Sequence, residues 1–351
     1  MKREQIPLRF GTDAGEISRQ LSSVVQSGTD LLLGSDEGCT VERLSPDGDG
    51  YAHHKSFALT KYLDLPQADE EVDIEGLECA DGYLWITGSH SALRKKPGAD
   101  DKLADAFDAL AAVEHAGNRY LIACVPLVHT DGRATLQRTA PADAAEPERH
   151  AARVGGGRRR NRLIDRLRDD KHLAPFLDLP GKDNGFDIEG FAIGDDRIYL
   201  GLRGPVLRGH AVVLVIAPRP SRKRPERLRL GKLEHGARYQ KHFLDLRGLG
   251  IRELCVDGRD LLVLAGPTMV LDGRTAVFRW RGALDVRSES IVKEDQLECI
   301  LELEPGKQDD HPEGIALIDH RGRRGLLVIY DAPSKARCPN PNTVLADFYP
   351  L

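Results

Sequence analysis

The sequence predicts an all-β fold, a five-bladed β-propeller, and three observations support this prediction. A motif of the type Leu-Asp-Leu followed by Asp-Ile-Glu-Gly recurs along the 351-residue chain. Short runs of branched and aromatic residues, separated by turn residues, follow each copy and are typical of strands. The two ends of the chain carry complementary parts of one group of strands. Repeats that each supply several strands are typical of propellers.

The repeated motif is nearly intact in two copies, at residues 62–77 and 176–191. In both copies the Glu of Glu-Gly lies 11 positions after the Asp of Leu-Asp-Leu. A degenerate copy at 300–315 keeps this spacing, whereas a copy at 243–254 shortens it to 8. Self-similarity on this scale predicts the fold well and the function only in part.

Each repeat is predicted to supply four strands, and its Glu-Gly motif belongs to the first of them. The second strands are predicted at 30–34, 83–88, 198–202, 261–265 and 326–330. The third strands are predicted at 39–44, 119–125, 211–216, 275–280 and 343–349. The Leu-Asp-Leu element is predicted to be the fourth strand and to lead into the next group.

The chain ends predict how the ring of blades closes. The last group has no fourth strand after Tyr349, and an unassigned strand at 6–10 precedes the first group. We therefore expect the N-terminal strand to complete the C-terminal blade, which removes the exposed edges. Residues 1–351 would then form a single propeller domain. Six blades are the alternative, if 108–114 forms an extra inner strand.

Helical and loop insertions are predicted within the second blade, at 100–115 and 131–172. Residues 101–112 have helix-forming composition, with apolar residues at spacings of four and three. Residues 131–158 are predicted to be a mobile loop. A second helix is predicted from Asn161 to about residue 171.

Arginines cluster at the start of this second helix, and two interpretations of them stay open. They either surround a solvated helix start, or form a flap that turns positive charge toward an anionic ligand. The flap interpretation predicts that Leu163, Ile164 and Leu167 pack over one channel mouth. The arginines that would border the opening are Arg158, Arg159, Arg160, Arg162 and Arg166.

Composition excludes several classes of protein. A net charge of -5 argues against a general nucleic-acid binder, which needs a basic face. No apolar run approaches the roughly 20 residues that span a bilayer, so we expect no membrane association. The N-terminus carries no apolar segment after its basic residues, and the six cysteines are scattered. Buried thiols and a cytoplasmic location are the resulting expectations.

Equivalent positions of the first strands should meet in the central channel. Alignment on the Glu of the Glu-Gly motif gives Ser22, Glu75, Glu189, Glu253 and Glu313. Four carboxylates in one channel raise one another's pKa values unless a cation neutralises them. Oxygen ligands without His or Cys favour a hard cation, and Ca²⁺ is therefore predicted here. A purely structural role of these residues is the alternative.

A second polar layer is predicted at the channel mouth. Asp73 and Asp187 lie two residues before their Glu, and His311 takes this position in the fifth blade. These three side chains are candidate general bases, although an Asp here could instead bind turn amides. Further polar groups follow the second strands and are candidates for binding an anionic substrate, or for pairing with acidic residues; they are His90, Arg94, Arg203 and Arg208. No nucleophile elbow, phosphate-binding loop or dinucleotide fingerprint is present.

Several of these motifs resemble a bacterial family known only as a domain of unknown function. The similarity covers most of the chain and rests on the Asp-Ile-Glu-Gly repeats, Gly88-Ser-His-Ser91, Asn161 with its helix, residues 182–190 and residues 201–205. The resemblance implies a propeller, and the family has no established activity to carry over.

Residues 21–25 and 33–38, with the Ser and Glu ring, are similar to calcium-activated nucleotidases (apyrases). That resemblance implies five blades and a central Ca²⁺ bound by the five ring residues. The departure lies at Glu253, where that family leads us to expect Ser. The Glu-Gly repeat also resembles phytase-like esterase propellers.

Two classes of function follow from these predictions. The first is a Ca²⁺-dependent hydrolase of a small anionic, phosphorylated ester or anhydride, in which Arg94 and Arg203 would hold the anion. The second is a non-catalytic scaffold, in which Ca²⁺ only joins the blades and an outer face binds a partner. Assays of phosphate esters, nucleotides and lactones with Ca²⁺ or chelator would separate the two.

Overall fold

A computed structural model describes residues 2–67, 70–142, 147–269, 273–304 and 309–351, and it confirms the all-β prediction. The strands are β1 (Glu4–Arg9), β2 (Leu21–Ser27), β3 (Asp30–Ser35), β4 (Thr40–Asp47), β5 (Gly50–Ala58), β6 (Ile74–Ala80), β7 (Tyr83–Gly88), β8 (Ile122–Thr130), β9 (Arg133–Leu136), β10 (Thr139–Ala140), β11 (Arg149–His150), β12 (Ala152–Val154), β13 (Asp187–Gly194), β14 (Arg197–Gly204), β15 (His210–Ile216), β16 (Pro218–Ser221), β17 (Arg224–Leu230), β18 (Gln240–Asp245), β19 (Gly250–Asp257), β20 (Asp260–Gly266), β21 (Thr275–Trp280), β22 (Ser290–Val292), β23 (Leu297–Leu303), β24 (His311–His320), β25 (Arg323–Asp331) and β26 (Thr343–Pro350).

Helices are short and lie between strands. The α-helices are α1 (Leu103–Ala111) and α2 (Arg162–Leu167). The 3-10 turns are Thr12–Ala14, Ile17–Arg19, Leu59–Lys61, Gly117–Tyr120, Ala174–Phe176, Gly181–Asp183, Glu234–Gly236, Ala283–Asp285 and Glu294–Gln296. Within the part of the chain that is described, no helix has the length and apolar content needed to cross a membrane.

The strands pair as antiparallel groups of four, as the repeat predicts. The groups are β2-β3-β4-β5, β6-β7-β8-β12, β13-β14-β15-β18, β19-β20-β21-β23 and β24-β25-β26-β1. The predicted second and third strands all lie within these groups. The last group takes β1 as its fourth strand, which pairs with β26 from Glu4↔Phe348 to Arg9↔Thr343. A parallel contact of β1 with β5, at Leu8↔Tyr51, joins the last group to the first.

The hydrophobic core lies between neighbouring groups rather than in one central mass. One cluster, for example, packs Leu32 of the first group against Ile86 of the second. Another packs Leu31 of the first group against Leu327 of the last, so the contacts run on from the last group to the first. Burial on both faces explains why the second strands are continuous apolar runs instead of alternating ones. The arrangement is propeller-like.

The first strands of the groups surround a common centre. Each contacts the first strands of both neighbouring groups, in the cyclic order β2, β6, β13, β19, β24 and back to β2. Residues from all of these strands line one small cavity of about 160 Å³, which includes Val25, Glu78, Ile193, Cys255 and Leu317. Equivalent positions of the repeats are therefore brought together.

The prediction for the fourth strands is correct in two groups and wrong in two. Phe243-Leu-Asp245 lies in β18, and residues 300–303 lie in β23. In the first two groups β5 and β12 are the fourth strands, and the Leu-Asp-Leu elements lie at 3-10 turns instead. Their apolar residues Leu63 and Leu177 are buried in the clusters between groups. The motif there contributes packing, not a strand.

The inserted segments differ from the predictions in extent. The predicted helix at 101–112 is confirmed as α1, and this also removes the extra inner strand on which six blades depended. The predicted loop at 131–158 contains β9 to β12, while residues 143–146 lie outside the described part. The second helix ends at Leu167, earlier than predicted.

The flap interpretation of α2 is wrong. Leu163, Ile164 and Leu167 are buried in the core cluster between the second and third groups. Arg162 and Arg166 line a cavity with β16 and β17. These strands lie at the far edge of the sheet from β6, which carries Glu75.

Candidate functional site

A β-bulge marks the same point in the first strand of every group. At this point one residue has no partner in the ladder to the second strand, because the register shifts by one. The residues at the bulges are Ser22, Glu75, Glu189, Arg252 and Glu313. We call these five residues the bulge ring.

The bulge ring corrects the predicted set at one position. Arg252, not Glu253, is the fourth member, because the shift in β19 lies between Ile251 and Glu253. Glu253 takes the place that glycine has in three other groups. Its carboxylate accepts hydrogen bonds from the backbone N–H groups of Phe191 at 2.9 Å and Leu254 at 2.8 Å, and from the Ser23 hydroxyl at 3.2 Å. Glu253 therefore does not meet the other predicted ligands.

The Arg252 guanidinium lies between two carboxylates of the ring. Its Nη1 is 3.0 and 2.8 Å from the two carboxylate oxygens of Glu189, and its Nη2 is 3.4 Å from Glu313 Oε1. Arg203 reaches Glu189 as well, at 2.7 Å, and also forms an ion pair with Asp187. Glu189 is thus paired with two guanidinium groups, as a buried carboxylate requires.

The mouth of the channel carries a second layer of ion pairs. Asp73 lies 2.5 Å from Arg119, which also donates to the Ser91 hydroxyl at 2.7 Å. Burial raises the pKa of Asp73 and raises that of Asp187 to about 6, although Arg119 and Arg203 oppose the effect. The Oδ1 atom of Asp187 is buried and has no hydrogen-bond partner among the described residues.

Glu75 differs from the other acidic members of the ring. Among the described residues no hydrogen bond or ion pair reaches its carboxyl group. Burial, followed by the charges of Asp73, Glu189, Asp187 and Glu313, raises its pKa well above the ordinary value. Both causes favour the protonated form of this carboxyl group.

Other carboxyl groups at the mouth also have raised pKa values. Burial, with contributions from other carboxylates, raises the pKa of Asp36 to about 7 and that of Glu313 to about 8. The pKa of Asp331 is also raised, chiefly by burial. One oxygen of Asp36, Oδ1, is buried without a hydrogen-bond partner in the described chain.

The charges of the site do not balance if every acid is ionised. We call the following residues the mouth cluster: the carboxyl groups of Asp36, Asp73, Glu75, Asp187, Glu189, Glu313 and Asp331, and the guanidinium groups of Arg119, Arg203 and Arg252. Lys182 adds one positive charge near Asp331. Seven acids against four bases would leave three surplus negative charges, and this repulsion adds to the effect of burial on the raised pKa values.

The remaining predicted residues have different positions. His90 is completely buried; its Nδ1–H donates to the Gly88 carbonyl at 2.8 Å, and Nε2 accepts from the Asn161 amide at 2.8 Å. Burial lowers its pKa to about 4, so it is a neutral structural residue and not a substrate ligand. His311 begins β24 and pairs with Asp331 at the mouth.

The two other predicted arginines do not enter the mouth cluster. Arg94 pairs with Asp183 at 2.7 Å in the loops beside the mouth. Arg208 is exposed on a turn, with a φ angle of 53°. Of the arginines predicted to hold an anion, only Arg203 lies at the ring, and there it is paired with carboxylates.

The five predicted Ca²⁺ ligands do not form one ligand shell. Glu253 binds backbone amides, Arg252 supplies a positive charge in its place, and the Ser22 hydroxyl donates to the Ile74 carbonyl. Among the described residues no group of three or more His, Cys, Asp or Glu side chains is arranged to hold a metal ion. As it stands, the arrangement does not fit the expected Ca²⁺ site.

Comparison with known proteins gives a family and distant structural similarity. A family model described as "Protein of unknown function (DUF3616)" matches residues 20–347. No curated protein matches the sequence significantly.

Solved structures are similar over almost the whole chain. The glutaminyl cyclase of Myxococcus xanthus has 8% identity and a TM-score of 0.42, covering 99% of this chain and 97% of that one. The Malassezia sympodialis allergen Mala s 1 has 8% identity and a TM-score of 0.43, covering 99% and 95%. The PQQ-bound aldose sugar dehydrogenase of Streptomyces coelicolor has 12% identity and a TM-score of 0.39, covering 95% and 83%. Similarity this distant transfers no function to this chain.

Proposed function

The chain belongs to the DUF3616 family, which has no assigned function, and we propose from its site that it is a hydrolase of a small, uncharged, polar ester or lactone. We further propose that the fold is a five-bladed propeller closed by β1, as the ring of first strands and the pairing of β1 with β26 support. The substrate would bind at the mouth cluster.

The observation that carries this proposal is the difference between Glu75 and Asp187. The Glu75 carboxyl group has no hydrogen-bond or ion-pair partner among the described residues, and its pKa is raised well above the ordinary value, which suits a proton donor. Asp187, with a pKa of about 6, is largely ionised there, and its Oδ1 is free to accept a proton. Two nearby carboxyl groups with different protonation states are the usual pair for acid and base catalysis.

In the proposed hydrolysis Asp187 accepts a proton and Glu75 donates one. Asp187 takes a proton from the water that attacks the carbonyl carbon, while Arg203 keeps Asp187 in place. Glu75 gives its proton to the oxygen of the leaving alcohol as the ester C–O bond breaks. Asp73 and His311, also predicted as bases, border the same opening.

The charge of the site favours an uncharged substrate. The arginines of the mouth cluster are paired with carboxylates, and its carboxyl groups outnumber its basic groups by three. An anionic ester would add charge of the same sign to a partly desolvated site, which is unfavourable. This replaces the phosphorylated substrate expected from the sequence.

Glu75→Gln is expected to lower kcat/KM by about 10²- to 10⁴-fold, the usual contribution of a general acid. The measurement is hydrolysis of a panel of neutral esters and lactones. Glu78→Gln is the matched control, because Glu78 lies on the same strand, is likewise partly exposed, and faces the small cavity farther along the channel. Its activity should stay within about twofold of wild type. If the wild type hydrolyses no neutral or anionic ester, with or without Ca²⁺, the scaffold interpretation replaces the hydrolase.

A second proposal, Ca²⁺ binding with hydrolysis of a phosphorylated substrate, rests on the surplus negative charge of the mouth cluster. A divalent cation would relieve that surplus, and carboxylates are its preferred ligands. Binding should raise the melting temperature relative to chelator, corresponding to about 2.7 kcal/mol at a Ca²⁺ concentration of 100 times Kd. Glu75→Gln should remove this Ca²⁺-dependent rise in melting temperature. Glu253→Gln should keep it, since Glu253 binds backbone amides. An unchanged melting temperature with Ca²⁺ would exclude this proposal.

A further inference from the structure

A basic cavity lies on the outer edge of the molecule, away from the mouth cluster. Its volume is about 660 Å³, and it is formed by α2, the hairpin β16–β17 and the segment after β17. The basic side chains that line it are Arg162, Arg166, Arg219, Arg227, Arg229, Lys232 and Arg238, and among the described residues no acidic side chain lines it. Like charges gathered in one concave surface repel one another unless an anion binds between them.

Most of these charges are not neutralised by the protein. Arg219 pairs with Asp196, and Arg238 donates to the Leu230 carbonyl at 2.7 Å. For the other five, no ion pair is found in the described ranges of the chain; they are Arg162, Arg166, Arg227, Arg229 and Lys232. In contrast, many exposed arginines elsewhere have a carboxylate partner, as Arg259 does with Asp195 at 2.8 Å.

The cavity is built on anchored elements. Strand β17 pairs in parallel with β12, through Arg153↔Arg227 and Val154↔Leu228, and so extends the sheet of the second group. Leu228 and Leu230 are buried in the core cluster that also holds Leu163 of α2. Because alternate residues of a strand point to opposite sides, burial of these leucines turns Arg227 and Arg229 outward. The arginines are thus positioned by packing on both sides of the cavity.

We propose that this cavity binds a compact, multiply phosphorylated small anion. The guanidinium fork binds phosphate oxygens in pairs, and several forks around one concave surface suit several phosphate groups. The volume is in the range of small-molecule pockets. In the described part of the chain no aromatic side chain lines the cavity, and aromatic side chains are the surface on which nucleic-acid bases stack. This argues for a small polyphosphate rather than a nucleic-acid strand.

The test uses inorganic tripolyphosphate and calorimetric titration of the full chain at low ionic strength. Replacing Arg227 and Arg229 together by Gln is expected to weaken binding at least tenfold. The matched control replaces Arg222 and Arg224 by Gln; both are exposed, lie on the same hairpin, and do not line the cavity. Since both pairs remove two positive charges, a general electrostatic effect would weaken binding equally, whereas the proposal predicts a change of less than twofold for the control.

Three results would overturn the proposal. The first is no binding of tripolyphosphate by the wild type, and the second is equal weakening by the two double variants. The third is tighter binding of a single-stranded oligonucleotide than of tripolyphosphate, which would indicate a nucleic-acid surface. The variants change only exposed side chains, and unchanged melting temperatures would verify that they fold. The readout is binding alone, so it is independent of the proposed hydrolase activity.

Discussion

Replacing Arg252 by Met is expected to lower the free energy of unfolding by about 3–5 kcal/mol at pH 8, as for other buried ion pairs that lose one partner. Arg252 is the cation between Glu189 and Glu313, with contacts of 2.8 to 3.4 Å, and its side chain is only 12% exposed. Met keeps most of the apolar volume and removes the charge. Among the described residues, Glu313 then has no cation within ion-pair distance, and Glu189 keeps only Arg203. Urea unfolding of wild type and variant measures the difference.

At acidic pH, Arg252→Met should lower the free energy of unfolding by a smaller amount. At pH 5 the unpaired carboxyl groups can take up protons, so the variant avoids a buried negative charge and the loss should shrink. The control is Arg247→Met, which removes an exposed pair with Glu294 and should cost less than about 1 kcal/mol. A loss as small as that of the control, or one that is the same at pH 5 and pH 8, would contradict the role assigned to Arg252.

Much of the fold can be predicted from the sequence because the repeat is strong and the strands are short. The second strands are buried on both faces, so runs such as residues 31–33 and 261–265 are apolar throughout and easily recognised. The fourth strands are harder to predict. In the first group β5 (Gly50–Ala58) is largely polar and partly exposed, so it does not look like a strand of the core. The Leu-Asp-Leu element that follows it is more apolar, and the sequence pattern therefore predicts the fourth strand there instead.

The candidate site can be predicted only in part, and the fourth group shows why. A β-bulge decides which residue turns into the channel, and a shift by one residue exchanges the two faces of a strand. In Ile251-Arg-Glu-Leu254 no glycine marks the bulge, so alignment on the Glu selects Glu253 instead of Arg252. The chemical consequence is large, because a negative ligand is replaced by a positive charge.

Long-range pairing is the other part that the sequence does not reveal. Arg119 reaches Asp73, and Asn161 reaches His90, across loops that no local pattern connects. His90 closely follows a strand, which makes it a candidate for binding a substrate. Both of its ring nitrogens, however, form hydrogen bonds within the protein, to the Gly88 carbonyl and the Asn161 amide. The acidic residues of the mouth were easier to identify, since Asp73 and Asp187 recur in the motif itself.

Stability should fall as pH rises from about 5 to 8, and Glu78 offers a clean measure of this effect. Burial raises the pKa of Glu78 from 4.5 to about 7 in the folded state. Below pH 4.5 the carboxyl group is protonated in both states. Between 4.5 and 7 the folded state holds a proton that the unfolded state has released, so stability is lost as pH rises through this window. The loss from this one group is about 3 kcal/mol, at 1.36 kcal/mol per pKa unit.

Glu78→Gln should remove this part of the pH dependence. Gln cannot ionise, and its side-chain oxygen can still accept the hydrogen bond that the Cys79 N–H donates to Glu78 at 2.9 Å. Relative to wild type, the variant should therefore gain about 2–3 kcal/mol between pH 5 and pH 8 in urea unfolding. Glu4→Gln is the control: a hydrogen bond from Arg323 lowers the pKa of Glu4, which makes it ionised in both states across this range. The free energy of unfolding of Glu4→Gln, plotted against pH, should therefore run parallel to that of the wild type. A parallel plot for Glu78→Gln would contradict the prediction, because it would show that Glu78 is already ionised in the folded protein at pH 5.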